Sequence, residues 1–204
     1  MKRLSLLSLI AAFTFIACED DYTPKPHAYA RVDLPAHEYI HAGGEQWHCP
    51  YSFDFSKYSA ITVDPQFQKS NCWYNIYYPR YKATLHLTYT DLNDDLGQHI
   101  EDSRKLAMKH ISKAAQIDET LIEFSDKNVY GIVYDFAGET ASDMQFFLTD
   151  STDHFLRGAL YFRVRPNKDS LAPVITYIKQ DISHLIGSLT WSDDRSADGT
   201  STQH

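Results

Sequence analysis

Asp143-Met-Gln-Phe-Phe-Leu-Thr149-Asp-Ser-Thr-Asp-His154-Phe-Leu-Arg-Gly-Ala-Leu-Tyr-Phe-Arg-Val-Arg165 decides the architecture of this chain. It holds two strand-like runs, 143–149 and 154–165, separated by Asp150-Ser151-Thr152-Asp153. A connector so short and so rich in turn formers joins antiparallel neighbours, because a parallel crossover needs a dozen residues or more. In the second run Leu156, Leu160, Phe162 and Val164 alternate with Arg157, Tyr161, Arg163 and Arg165. Two further runs, 119–124 and 128–136, precede these and meet at the turn-rich Ser125-Asp126-Lys127-Asn128. Four consecutive antiparallel strands are therefore expected.

Working outward, strands are expected at Tyr51–Phe55, at Lys82–Tyr89 and in the aromatic stretch Trp73–Tyr81, where Pro79 ends the run. Between Tyr89 and residue 119 the period changes from two to between three and four. Leu96, Ile100, Ser103, Ala107, Ile111 and Ala114 predict an amphipathic helix. Pro166-Asn167 stops the last strand, and Asp169 or Ser170 caps a second helix. Its stripe is Leu171, Val174, Ile178, Ile182, Leu185 and Ile186, with Gly187 at its end and Trp191 closing the fold. The fold class is α+β, an antiparallel sheet packed by two amphipathic helices. That order of elements resembles the PsbP/Mog1-type α/β/α sandwich.

The N-terminus reads differently. Lys2 and Arg3 precede Leu4–Ala17, an apolar run of 14 residues, whereas a membrane-spanning helix needs about 20. That is the pattern of a signal peptide, here residues 1–17. Phe15-Ile16-Ala17-Cys18 resembles a bacterial lipobox, with Phe15 where leucine is usual. Cys18 is then the lipidation site and the first mature residue; an ordinary secretory signal or an uncleaved anchor is the alternative. Residues 18–30 form a tether that Pro24 and Pro26 bias toward extended conformations. Glu19, Asp20 and Asp21 serve either as a surface-export signal or as a solvated spacer. Residues 31–191 make one domain. Residues 192–204 hold no apolar side chain larger than Ala197 and are expected to be disordered.

The chain has 204 residues, with 19 Lys+Arg, 27 Asp+Glu and a net charge of −8. Loss of Lys2 and Arg3 with the signal makes it more acidic still. With no basic stripe to neutralise phosphates, nucleic acid is excluded as a partner. Once Cys18 is assigned to lipid, Cys49 and Cys72 remain. In an oxidising envelope they pair as a disulfide, worth about 3.4 kcal/mol in the chain-entropy model, or stay as two buried thiols.

His37-Glu38-Tyr39-Ile40-His41 spells H-E-x-x-H. On a helix the two imidazoles share a face and bind Zn²⁺, with Glu38 as general base. Pro35 in front and Gly43-Gly44 behind leave barely two turns, and a zincin's third ligand would fall on Trp47, one residue before His48. A zinc hydrolase is therefore the remote alternative. Asp150-Ser151-Thr152-Asp153-His154 offers a hydroxyl, an imidazole and carboxylates, but on a hairpin connector they act as turn caps. Glu101-Asp102 and Asp94-Asp95 read as solvated acids at a helix start. The stretch Trp73-Tyr74-Asn75-Ile76-Tyr77-Tyr78-Pro79-Arg80-Tyr81 is either half core or a contact surface for protein or glycan.

Eight blocks carry a family resemblance. They are Tyr22–Pro26, Arg31–Pro35, Pro50–Phe53, Cys72–Ile76, Ile100–Ser103, Gln145–Thr152, His154–Phe162 and Pro166–Val174. Together they resemble the gliding-motility lipoprotein GldD family of Bacteroidota across Tyr22–Trp191. The resemblance implies a non-enzymatic, lipid-anchored envelope lipoprotein required for gliding motility. It implies partners among other Gld proteins and the type IX secretion machinery, with the membrane reached through the N-terminal lipid. It implies no cofactor, no metal and no catalytic residue, and only Cys18 carries over as a functional position. A ligand- or glycan-binding envelope lipoprotein is the rival.

Overall fold

The computed structural model describes residues 32–43, 47, 49–63, 72–163 and 168–192. The signal, Cys18, the tether, His48 and the tail beyond Ser192 lie outside the described residues. The strands are β1 (Tyr39–Ala42), β2 (Tyr51–Ser56), β3 (Ala60–Val63), β4 (Tyr74–Tyr78) and β5 (Ala83–Asp91). Helix α1 (Leu96–Met108) follows, then β6 (Ala114–Phe124), β7 (Val129–Gly138), β8 (Ser142–Thr149) and β9 (His154–Phe162). Helix α2 (Lys168–Ser188) and β10 (Thr190–Trp191) end the order.

Seven strands make one sheet in the order β3-β4-β5-β9-β8-β7-β6, and β1-β2-β10 make a second, small one. Every pairing is antiparallel. The large sheet is covered on both faces. On one face Leu96, Ile100, Ala107 and Met108 of α1 pack with Tyr134, Phe136, Phe147 and Phe155. On the other, Val174, Ile178, Ile182, Leu185 and Ile186 of α2 share a cluster with Leu85, Leu87, Phe146, Leu148, Leu156 and Leu160. Tyr51 and Phe53 of β2 join that second cluster and are wholly buried. Each such apolar side chain contributes about 1.5–3 kcal/mol when fully buried. The result is α+β, with two helices on opposite faces of an antiparallel sheet.

β8 is buried at every position, so its sequence shows no strict alternation. Gly158 sits opposite Phe146, and a Cβ built there lies 2.2 Å from that ring, so the glycine makes room for it. Cys49 and Cys72 lie side by side, with Cα atoms 5.4 Å apart, a spacing that a disulfide can bridge.

Several elements differ from expectation; among them, β3 lies where no strand is expected, and α2 starts at Lys168, ahead of the expected cap at Asp169 or Ser170. Helix α1 stops at Met108 rather than continuing to residue 114. Tight bonds from His110 N–H to the Ala107 carbonyl and from Ile111 N–H to the Met108 carbonyl wind its end down, leaving Ile111 63% exposed. β6 starts at Ala114 instead of about 119, because β7 pairs along its whole length. Its solvent-facing side chains carry no hydrophobic alternation to announce it. β1 and β10 are short additions to β2 that no periodicity in four or two residues could reveal.

The Asp150–Asp153 connector is a capped turn. The Asp150 carboxylate accepts from the backbone N–H groups of Thr152, Asp153 and His154 at 2.8–3.0 Å and from the Thr152 hydroxyl at 2.9 Å. Thr149 Oγ1 accepts from Ser151 N–H at 2.9 Å, and Ser151 takes a left-handed φ of 72°. Burial pushes the Asp150 carboxyl up, but the bonds from His154 and Thr152 outweigh it and hold the group below 3.8. A carboxyl depressed by folding stabilises above its unfolded value, and that contribution disappears as pH falls through the folded one. Asp150→Ala is expected to cost about 1 kcal/mol, or about 3 °C in Tm. In melts from pH 7 to pH 2 the gap between the variant and the parent should close below about pH 4, the ordinary carboxylate range.

Candidate functional site

Helix geometry is what H-E-x-x-H requires, and residues 39–42 are a strand. β1 lies antiparallel on β2, with His41 opposite Asp54 and Tyr39 opposite Ser56. In extended chain His37 and His41 stand about 13 Å apart, too far to share one ion, and Glu38 points to the opposite face from both. Among the described residues no three metal-ligating side chains converge. The zinc-hydrolase alternative thus loses its geometric basis, since β2 captures the segment as a sheet neighbour.

Alternation instead turns His37, Tyr39 and His41 together toward α2 and β2. His37 Nδ1 lies 2.7 Å from Asp181 Oδ1, and its Nε2 lies 2.8 Å from Gln180 Oε1. The His37 ring stacks on Tyr177 at 4.3 Å, and Tyr39 stacks on His184 at 3.6 Å. His41 Nδ1 lies 2.8 Å from Asp54 Oδ1, whose second oxygen is 3.6 Å from His184 Nε2. On the outer face Glu38 accepts from Lys57 and, at 2.9 Å, from the Tyr58 hydroxyl.

Asp181 is the centre of this clamp and is 1% exposed. Burial first, then the Asp181 charge, pushes the Tyr177 phenol up to about 12. The same two causes raise Tyr39 and Tyr78. All three phenols therefore remain protonated around the carboxylate. The Gln180 amide can turn to accept from or donate to Nε2, so either charge state of His37 keeps two hydrogen bonds. The arrangement holds a strand to a helix by rings and charge.

The other motif residues separate. Ser151 is exposed at the turn, while His154 is buried, with Nδ1 2.7 Å from the Tyr89 hydroxyl and its ring on Trp191. Glu101 and Asp102 are exposed and both lie near Lys105, at 3.7 and 3.6 Å. In the aromatic stretch Ile76 and Tyr78 face the core, and Tyr74 stacks on Trp47 at 4.4 Å. Asn75 and Tyr77 occupy the other face, where they are half-buried.

That face continues across β5 and β9. Arg163 lies 5.5 Å over the Tyr77 ring, and His86 meets Tyr161 edge-on at 5.7 Å. Arg157 Nη2 donates to Gln145 Oε1 at 2.9 Å, and burial lowers the pKa of its guanidinium. Arg157, Tyr161 and Arg163 thus share one side, as their alternation predicts. Sequence reasoning missed Asp181, Gln180, His184 and Asp54. For Asp181 a signal existed: it lies three residues after Ile178 and four before Leu185, on the buried stripe of α2.

His37→Ala removes the hydrogen bond to the buried Asp181 carboxylate. A loss of about 2 kcal/mol is expected, with faster amide exchange across residues 39–42 than in β8. Gln180→Ala, at the exposed end of the same imidazole, should stay within about 0.5 kcal/mol of the parent.

A model of the gliding motility lipoprotein GldD family matches residues 19–191. None of the curated proteins matches the chain. Among solved structures, the cyanobacterial PsbP (CyanoP) of Synechocystis sp. PCC 6803 is similar at 9% identity. The likeness covers 82% of this chain and 99% of that one, with a TM-score of 0.45. No helix among the described residues is long and apolar enough to cross a membrane. The matched span takes in the clamp, both helices and every strand, and the chain belongs to the gliding motility lipoprotein GldD family.

Proposed function

We propose that this chain is an envelope lipoprotein anchored through acyl chains on Cys18, and that its domain docks onto the gliding and type IX secretion apparatus without catalysing a reaction. The observation that carries this is the extent of the family match, which begins at Glu19, directly after the lipobox cysteine. Two or three acyl chains, at about 0.8 kcal/mol per buried CH₂, anchor firmly. Residues 18–30 then act as the tether. The first strand after it, β1, is the element that the His37–Asp181 and His41–Asp54 contacts fasten to the rest of the fold. A pull on the tether is met by those contacts.

The test is complementation of a gliding host that lacks its own GldD. The parent chain should fractionate with membranes and restore spreading, whereas Cys18→Ala should do neither while remaining folded. Full motility from a soluble Cys18→Ala chain would overturn the anchored role.

Cys49 and Cys72 belong to the same proposal, as a disulfide formed in an oxidising envelope. It ties the entrance of β2 to the chain just before β4. A non-reducing tryptic digest should contain one cross-linked pair of peptides carrying these residues. Two alkylatable thiols in the native protein would rule the bond out.

A further inference from the structure

The two ends of the large sheet are unlike. β3 is an edge of four residues without a charge (Ala-Ile-Thr-Val). β6 is an edge of eleven residues, Ala114-Ala-Gln-Ile-Asp-Glu-Thr-Leu-Ile-Glu-Phe124, with β7 on one side and no strand on the other among the described residues. At about 3.4 Å per residue it offers nearly 37 Å of unpaired backbone. Edges are usually blunted by charged side chains (lysine above all), proline, shortness or a bulge. β6 has no lysine or proline, its one register shift lies at its beginning, between Ala114 and Gln116, and its charges are all acidic, Asp118, Glu119 and Glu123, which turn away an acidic strand but not a basic one.

The side chains of that edge have a definite pattern. Ile117 packs under α1, while Ile122 and Phe124 pack on the opposite face, so the strand is seated from both sides. Glu119, Leu121 and Glu123 share the face of Ile117 and are exposed, Leu121 by 72%. Leu121 rests opposite the half-buried Ile132. Asp118, on the other face, sits directly opposite Asp135, whose carboxylate is paired with Lys179 at 2.6 Å. Among the described residues Asp118 itself receives the Gln116 amide, at 2.7 Å, and no cation. Among the described residues neither Glu119 nor Glu123 has a cationic partner. Lys127, in the turn that follows, donates to the Gly187 carbonyl instead.

We infer that β6 is a docking edge for an extended, basic segment of another protein, which adds to the sheet as an eighth strand beside β6. Main-chain hydrogen bonds along the edge supply affinity, and alternate side chains supply choice. The incoming strand reads basic–apolar–basic at every second residue, to meet Glu119, Leu121 and Glu123. A second copy of this chain is disfavoured in the register that uses the same contacts: antiparallel self-pairing centred on Leu121 sets Glu119 against Glu123 on both sides, and like charges directly opposite repel. The inference gives the docking role proposed above a contact surface and rests on that role only for its place in the cell.

The experiment uses the purified full chain in detergent and a labelled, capped seven-residue peptide. The peptide has lysine at positions two and six, valine at position four and threonine elsewhere. Anisotropy titration should show this peptide binding at least tenfold more tightly than its glutamate counterpart, with the preference shrinking as salt rises. Binding should slow amide exchange in residues 114–124, and alternate N-methylation of the peptide should abolish it. In Glu119→Lys/Glu123→Lys, two exposed sites at which Tm should not move, the glutamate peptide should bind better. Equal affinity for both peptides, protection outside β6, no binding, or a dimer abolished by Leu121→Lys would each overturn the inference. None of these outcomes bears on anchoring or spreading.

Discussion

A single carboxylate sets the register from which the large sheet is assembled. Asp150 gathers three successive backbone N–H groups and a hydroxyl, and so closes the turn between β8 and β9. Those strands lie in the middle of the seven, and β9 takes β5 on its other side. A slip of one residue there would exchange Phe146 and Leu148 with Gln145 and Phe147 between the two faces. Both faces are core, but they are different cores: Phe147 packs under α1, Phe146 and Leu148 under α2. A slipped β8 would also bring Phe146 out of line with Gly158, the residue that leaves space for its ring. The turn and the glycine therefore specify the same register from two directions.

Two-sided burial explains how much of the fold the residues disclosed. The α2 stripe from Val174 to Ile186 was legible because a helix with one buried face repeats every three or four residues. Lys82–Tyr89 was legible for the corresponding reason in a strand, and the short linkers around Asp126 and Asp150 forced antiparallel neighbours. β1 was illegible. Its four residues are held by partners 11 to 145 positions away in sequence, contacts that no local pattern announces. β6 differs: an edge strand that faces solvent has little hydrophobic pattern, so Ala114 reads as the end of α1 and residues 115–118 carry no strand signal.

The site was less legible than the fold. A clamp built from His37, Tyr39 and His41 uses residues that signal catalysis when they are read as a string. Period two places all three on one side and Glu38 on the other, which is the reverse of what metal-bound water and its base need. Asp181 is a buried carboxylate that is only half satisfied. A buried charge costs several kcal/mol to desolvate when alone. Here Oδ1 meets an imidazole nitrogen 2.7 Å away on the partly exposed His37, while Oδ2 has no hydrogen-bond partner among the described residues.

If residues 18–30 act as the tether proposed above, β1 is the first strand that a load on them would reach. β1 alone has four residues paired to β2, a short ladder to peel. Ring stacking on Tyr177 and His184, together with the carboxylates of Asp181 and Asp54, adds side-chain contacts that must break along with that ladder. Contact made along β6 would instead load eleven residues of backbone in shear, where many hydrogen bonds share the strain. With the lipid anchor and the β6 contact proposed above, a load would fall on the clamp at one end and on eleven strand residues at the other.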